Sequence, residues 1–403
     1  MLRSLFSGIS GLRAHQTMLD VVGNNIANVN TAGFKASSTV FEDTLSQMLS
    51  AAGAPQAGNG GTNPAQVGLG VRVASVSTNF GQGATQMTGR ATDLMIQGDG
   101  FFAVDADGQQ LYTRAGAFSF DATGRLVTTS GAAVMGWVAT DGKVATTGPV
   151  GPIVLPIGAT KAPVATTVTT ISGNLDASAP VYDADDPATA AGKVVSSIDA
   201  YDAAGVGHTL TYTFTHTAGN TWSLQVADDA TPPATQTVTL TFTDGKLPDP
   251  APTLTLGDID VDLKGITGFG GATSVAATGQ DGSAMGALQA YTIGQDGTII
   301  GVFSNGLKEP LGQVALASFT NPPGLEKVGD SLYRATVNSG LAQLGQAGTG
   351  GRGQLSSGSL EMSNVDLAAE FTNLIIAQRG FQANSRVITA SDEILQDLVN
   401  LKR

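Results

Sequence analysis

Cysteine is absent from this chain of 403 residues, which excludes disulfides, iron–sulfur clusters and thiol chemistry. Charge is scarce as well. Asp, Glu, Lys and Arg make up 13% of the sequence, about half the usual share. The little there is leans acidic, with 20 Lys and Arg against 33 Asp and Glu and a net charge of −13. Nothing basic clusters enough to neutralise phosphates, so a nucleic-acid partner is excluded. No run of eighteen apolar residues occurs, so no membrane insertion is expected. The opening MLRSLFSGISGLRAHQ has a broken apolar pattern and no small-residue cleavage site, so no cleaved secretory signal is expected.

Signals for chemistry are missing too. The three histidines, His15, His208 and His216, show no metal-ligand helix spacing, and no acid joins them in a recognisable motif. Asp183, Asp185 and Asp186 begin like a calcium loop but lack its glycine and closing glutamate. The run Gly345 to Gly353 has no Lys-Ser/Thr to hold a phosphate and reads as a flexible hinge. No GxSxG elbow occurs; Ser356-Ser357-Gly358 reads as a turn. Neither an enzyme nor a cofactor nor a metal is expected.

What is present is organised by the two ends. From Ser363, SNVDLAAEFTNLIIAQRGFQANSRVITASDEILQDLVNLKR contains no Pro, and Ser363 with Asp366 reads as a capping-box-like start. Leu367, Leu374, Phe381, Ile388 and Leu395 recur every seven residues, with Phe371, Ala377 and Leu398 filling the turns between. At the opposite end Leu2, Ile9, Gln16 and Gly23 form one seven-residue series, and Leu5, Leu12, Leu19 and Ile26 the other. Both patterns predict long amphipathic helices of coiled-coil type, most simply paired with each other. Apolar residues remain off both seams: Phe6, Met18, Val21 and Val22 on one helix, Ile375, Ile376, Val387, Ile394 and Val399 on the other. Each gains about 1.5–3 kcal/mol on full burial. Left wet, they would form an aggregation-prone patch. Further copies of the same chain are the simplest cover, and head-to-tail contacts between copies build rings or open filaments.

The middle is β-patterned and rich in turns, with 53 Gly in the chain. Asp-Gly at 99, 107, 141, 244, 281 and 296, with Asn305-Gly306, gives hairpin signals. Strands are expected in VGLGVRVASVSTNF, in DLMIQGDGFFAV, in a hairpin over 208–226, and over 236–242. The fold class expected is mixed, with terminal heptad helices forming a coiled-coil-like domain and two nested mainly-β domains between them. The expected divisions are a first helix at 1–30, a linker at 31–66, an inner β domain at 67–147 and 286–360, an inserted outer β domain at 148–285, and a final helix at 361–403.

Two stretches carry a family resemblance. The run Asn28, Thr31, Gly33, Phe34, Lys35 to Phe41 resembles the signature of the bacterial flagellar axial proteins, the rod and hook family. So does the C-terminal stretch with Asn364, Asp366, Gln378, Arg379 and Asn384. The runs 98–102 and 111–128 resemble that family's first β domain. The large insertion at 148–285 points to a hook-type subunit, since the distal rod proteins are shorter, although they share both ends and a long segment after the first helix. A β-rich surface adhesin would have no reason for paired terminal heptads.

The resemblance implies a helical homopolymer whose terminal helices line an inner tube and fold on assembly. It implies a curved tube acting as a universal joint between rod and filament. It implies export through the flagellar apparatus to the extracellular hook, with distal rod, hook cap and hook–filament junction proteins as partners. The assembly interface expected is Leu2, Leu5, Ile9, Leu12, Leu19, Ile26, Leu367, Phe371, Leu374, Phe381, Ile388, Leu395 and Leu398.

Overall fold

The computed structural model of the chain describes residues 2–54, 60–140, 142–156, 158, 160–229 and 234–400. Two compact units emerge. The first comprises Met1–Leu155, Thr292–Ile300 and Pro310–Arg403, and the second Pro156–Tyr291 with Gly301–Glu309. The second unit overlaps most of the insertion expected at 148–285 and takes in Gly301–Glu309 as well.

In the first unit, helix α1 (Leu2–Ala27) and helix α2 (Leu367–Asn400) run antiparallel, with Gly8 against Ile388, Gly11 against Asn384 and His15 against Gly380. The α2 start differs from the expected capping box. Asp366 is the cap, its Oδ1 accepting from the backbone N–H groups of Ala368 and Ala369 at 2.9 and 3.3 Å, and Ser363 holds only the N–H of Val365. Asp366 wins because a carboxylate answers both the open donors and the helix dipole.

The stretch 31–66 is not a simple linker. Ser37–Asp43 is a strand paired antiparallel with Val71–Thr78, and Ser46–Ser50 forms a hairpin with Ala65–Gly68. The β-branched and aromatic run Thr39-Val40-Phe41 outweighs the Gly- and Pro-rich composition that follows. Gly345 to Gly353 is likewise no loose hinge. The Arg352 guanidinium packs over Gly345 and donates to Gln346 O at 3.1 Å.

The β core of this unit centres on Phe101–Ala106, which pairs with Gln109–Thr113, Ala133–Thr140 and Leu316–Ser318. Asp107 and Gly108 both take positive φ, 53° and 79°, as the two-residue hairpin turn requires. The Asp99-Gly100 signal does not make a hairpin. The strand before it, Leu94–Gln97, pairs instead with Gln354–Ser357. Phe101, Tyr112, Tyr333 and Ala317 form the core, with Phe80 and Phe319 packed edge-on at ring separations of 4.8–5.7 Å.

The second unit has two four-stranded sheets. One is an antiparallel run of Lys193–Tyr201, Gly207–Ala218, Thr221–Asp228 and Thr235–Thr241. The other orders Leu254–Leu256, Ile259–Thr267, Val168–Asn174 and Ala276–Gln280, with the middle pair parallel. Alternation sends Leu210, Tyr212, Phe214, Trp222, Leu224 and Val226 into a closed core, and the Tyr212 hydroxyl reaches Thr169 Oγ1 of the other sheet at 2.8 Å. This unit closes a core of its own, while Val195, Val206 and Phe269 stay exposed on its surface.

Candidate assembly surface and its anchor

Small residues mark the closest approach of α1 and α2, with Gly8 against Ile388 of the α2 heptad series. Ala14 and Ala377 are buried, and a Cβ at Gly11 would stand 2.7 Å from Asn384 Oδ1. A Cβ at Gly380 would stand 2.5 Å from the His15 ring. Asn384 folds its amide back to Gly380 O at 2.9 Å, which lets it lie flat over Gly11. Glycine at these turns lets the backbones close beyond what leucine pairs permit.

Leu5, Ile9, Leu12, Leu19 and Ile26 on α1 are half-buried, as are Leu374, Phe381, Ile388 and Leu395 on α2. Leu367 and Phe371 are exposed, and the side chains of Leu2 and Leu398 lie outside the described residues. Phe6, Ile375, Ile376, Val387 and Ile394 are exposed as well, with Phe6 at 63% and Ile375 at 56%. A groove of about 380 Å³ runs between α1 and the strand Val71–Thr78, with Phe6, Ile9, Val71 and Val73 in its walls. The hairpin at 46–68 adds exposed Met48, Leu49 and Val67. This much clustered apolar surface marks a contact surface for other protein.

The roots of both helices are fixed by a buried ion cluster. Lys35, eight residues beyond α1, donates to Glu361 Oε1 at 2.6 Å and to Gly81 O at 2.8 Å. Glu361, six residues before α2, also accepts from the Gly83 N–H at 2.9 Å and from Arg114 at 3.4 Å. The side chains of Lys35 and Glu361 are 0% exposed and that of Arg114 is 2% exposed. Burial lowers the Lys35 ammonium below its ordinary value, opposed by Glu361. Burial lowers the Arg114 guanidinium in the same way, opposed by Glu361 and Asp99. With both oxygens of Glu361 occupied and no solvent at the cluster, it has no place for a substrate. It is a fastener.

The motif residues build the same anchor. Gly33 takes φ +69° so that its N–H reaches Glu361 O at 2.7 Å, and any Cβ there would strike the backbone of Ala115. Phe34 carries Lys327 Nζ 5.0 Å above its ring, and that ammonium also donates to Ser37 Oγ and Lys35 O. Asn364 donates to Asn79 O and Gly81 O and accepts from the Ala36 N–H, tying the two helix roots together. Asn28 accepts from Thr31 at 3.1 Å to close the end of α1, and Phe41 stands edge-on to His15. Gln378 and Arg379 are exposed on α2. Sequence reasoning missed Glu361, Asn25 and the small-residue contact. Asn25 is buried and pairs both ways with the Ser37 backbone. The available signals were Gly8-x-x-Gly11-x-x-Ala14 and a lone acid before α2.

Four family profiles match in chain order. Residues 5–35 match the flagella basal body rod protein family, and 95–171 match the flagellar hook protein FlgE/F/G D1 domain. Residues 174–283 match the flagellar basal body protein FlaE D2 domain, and 356–401 the flagellar basal body rod FlgEFG protein C-terminal region. The flagellar hook protein FlgE of Treponema pallidum is 39% identical, covering 100% of both chains. That of Salmonella typhimurium is 36% identical, covering 99% of this chain and 100% of its own. The flagellar basal-body rod protein FlgG of Bacillus subtilis is 34% identical over 100% of both. The solved structure of Helicobacter pylori flagellar hook protein FlgE2 has a TM-score of 0.55 at 17% identity, covering 69% of this chain and 100% of its own, a likeness of fold.

Proposed function

The chain belongs to the flagellar hook protein family, and from that premise we propose how its parts build a working joint. It is a structural subunit of the bacterial flagellar hook, polymerises with copies of itself, and is not an enzyme. In the reading proposed, α1 and α2 line the inner tube and the β-rich parts form its outer layers, divided near the limits read from the sequence. The tube curves and turns as a universal joint, carrying torque from rod to filament. Axial helices resist twist, while outer layers slide on their neighbours.

The observation that supports this reading is the apolar surface that the α1–α2 pair leaves uncovered, including Phe6, Phe371, Ile375 and Ile376. Buried by neighbouring copies, each side chain contributes about 1.5–3 kcal/mol to assembly. The seam residues from Leu5 to Leu395 are assigned to the same interface, with the ends of the tube meeting distal rod, cap and junction proteins. Export proceeds unfolded through the flagellar apparatus to the cell exterior.

The test is polymerisation of purified full chain, followed by electron microscopy. Curved tubes are expected, and removal of residues 1–30 or 363–403 is expected to abolish them. A solitary, well-folded particle at assembly concentrations, with both ends protected from solvent, would refute the interface. Straight tubes would refute the joint.

A further inference from the structure

In the second unit His208 is the second residue of the strand Gly207–Ala218, and the antiparallel strand Thr221–Asp228 closes with Asp228, followed at once by Asp229. Leu210 pairs with Asp228, so those strand ends meet. His208 Nδ1 lies 3.7 Å from Asp228 Oδ1 and 3.4 Å from Asp229 Oδ1. One ligand atom from each of the three residues lies within 4.8 Å of the other two. Ligands on a tetrahedral zinc, each about 2.0–2.1 Å from the metal, stand about 3.3–3.4 Å apart. The imidazole–carboxylate separations are near that edge length.

A second feature points the same way. Asp202, in the turn before His208, has its Oδ1 fixed by the backbone N–H groups of Ala204 and Val206, both at 2.8 Å. Its Oδ2 lies 3.8 Å from Nε2 of the same imidazole. Short of a hydrogen bond at that distance, Asp202 still faces the ring nitrogen that the two acids do not. Metal-binding histidines are oriented in this way by a carboxylate on the far nitrogen. Spacing along the chain assigns His208 no metal role, because its neighbours arrive across the strand pair.

We propose that His208, Asp228 and Asp229 bind one divalent transition-metal cation of the zinc class, with Asp202 as a positioning residue. One imidazole and two carboxylates suit zinc better than magnesium or calcium, which favour all-oxygen shells. The bound cation staples the ends of neighbouring strands in the sheet.

The test is calorimetric titration of the full chain with zinc chloride, with magnesium chloride as control. One equivalent of zinc is expected to bind, and magnesium is expected not to compete. His208→Ala and the double variant Asp228→Asn, Asp229→Asn are expected to weaken binding at least tenfold. Asp202→Asn, which keeps all three ligands, is expected to weaken it about tenfold or more. Imidazole NMR resonances of the wild-type chain give a readout independent of any variant. Zinc should shift those of His208 and leave His15 and His216 in place. No binding, equal affinity in His208→Ala, or an unmoved His208 resonance would overturn the proposal.

Discussion

Replacing Glu361 by Gln should destabilise the first unit far more than replacing Lys35 by Met, although both changes cut the same 2.6 Å ion pair. The cluster holds two cations and one anion. Glu361→Gln leaves Lys35 and Arg114 buried together, with 0% and 2% side-chain exposure and their mutual repulsion unopposed by Glu361. Stranding buried charge in this way costs about 3–5 kcal/mol. Lys35→Met instead leaves a neutral pair, Arg114 with Glu361, and Glu361 keeps the Gly83 N–H. Gly81 O keeps its bond from Asn364. The loss is then about 1–3 kcal/mol, mostly hydrogen bonding. With a urea slope of about 2 kcal/mol/M, midpoints fall by about 1.5–2.5 M and about 0.5–1.5 M. The two tryptophans make the assay specific, since Trp137 is buried in the first unit and Trp222 in the second. Only the Trp137 fluorescence transition should move. Equal costs for the two variants, a Glu361→Gln cost below about 1 kcal/mol, or a shift of both transitions would refute the reasoning.

Ile376→Asp, at an exposed site on α2, should leave the unfolding free energy of the monomer within about 0.5 kcal/mol of wild type and abolish tube formation by light scattering. Gly11→Leu should separate α1 from α2, because even a Cβ there meets the Asn384 amide at 2.7 Å, and helical circular dichroism should fall with assembly lost. Amide exchange should be fast along α1 and α2 in dilute monomer and slow in tubes, since their apolar faces are covered only on assembly; slow exchange in monomer would contradict this. Burial raises the Tyr333 phenol from 10.0 to about 12. Its contribution is complete below pH 10 and is lost as pH rises toward 12, because the unfolded chain ionises first. The loss reaches about 2–3 kcal/mol, and Tyr333→Phe should remove that slope from an alkaline urea series.

The long periodic elements were legible in the sequence, because helix periodicity is local. Leu5 to Ile26 and Leu367 to Leu395 announce α1 and α2 within a few residues. The hairpin at Asp107-Gly108 was legible for the same reason, since its turn needs positive φ at two adjacent residues. What failed was partnership. Asp99-Gly100 looks alike in sequence, yet the strand before it finds its partner at 354–357. Leucine heptads suggest which face is apolar but not that glycine sets the approach of the helices. Glu361 is 326 positions from Lys35, and His208 meets its acids only through strand register, so neither cluster has a sequence spacing to reveal it.

The cluster at the roots of α1 and α2 also sets how the molecule responds to its medium. Dissolved ions weaken attractions that water can reach, over about 8–10 Å at ordinary ionic strengths. Lys35 and Glu361 have no water beside them. Their attraction is therefore screened far less than that between exposed charges, in a chain of net charge −13. Added salt should loosen contacts among exposed charges while the latch between the helix roots stays shut.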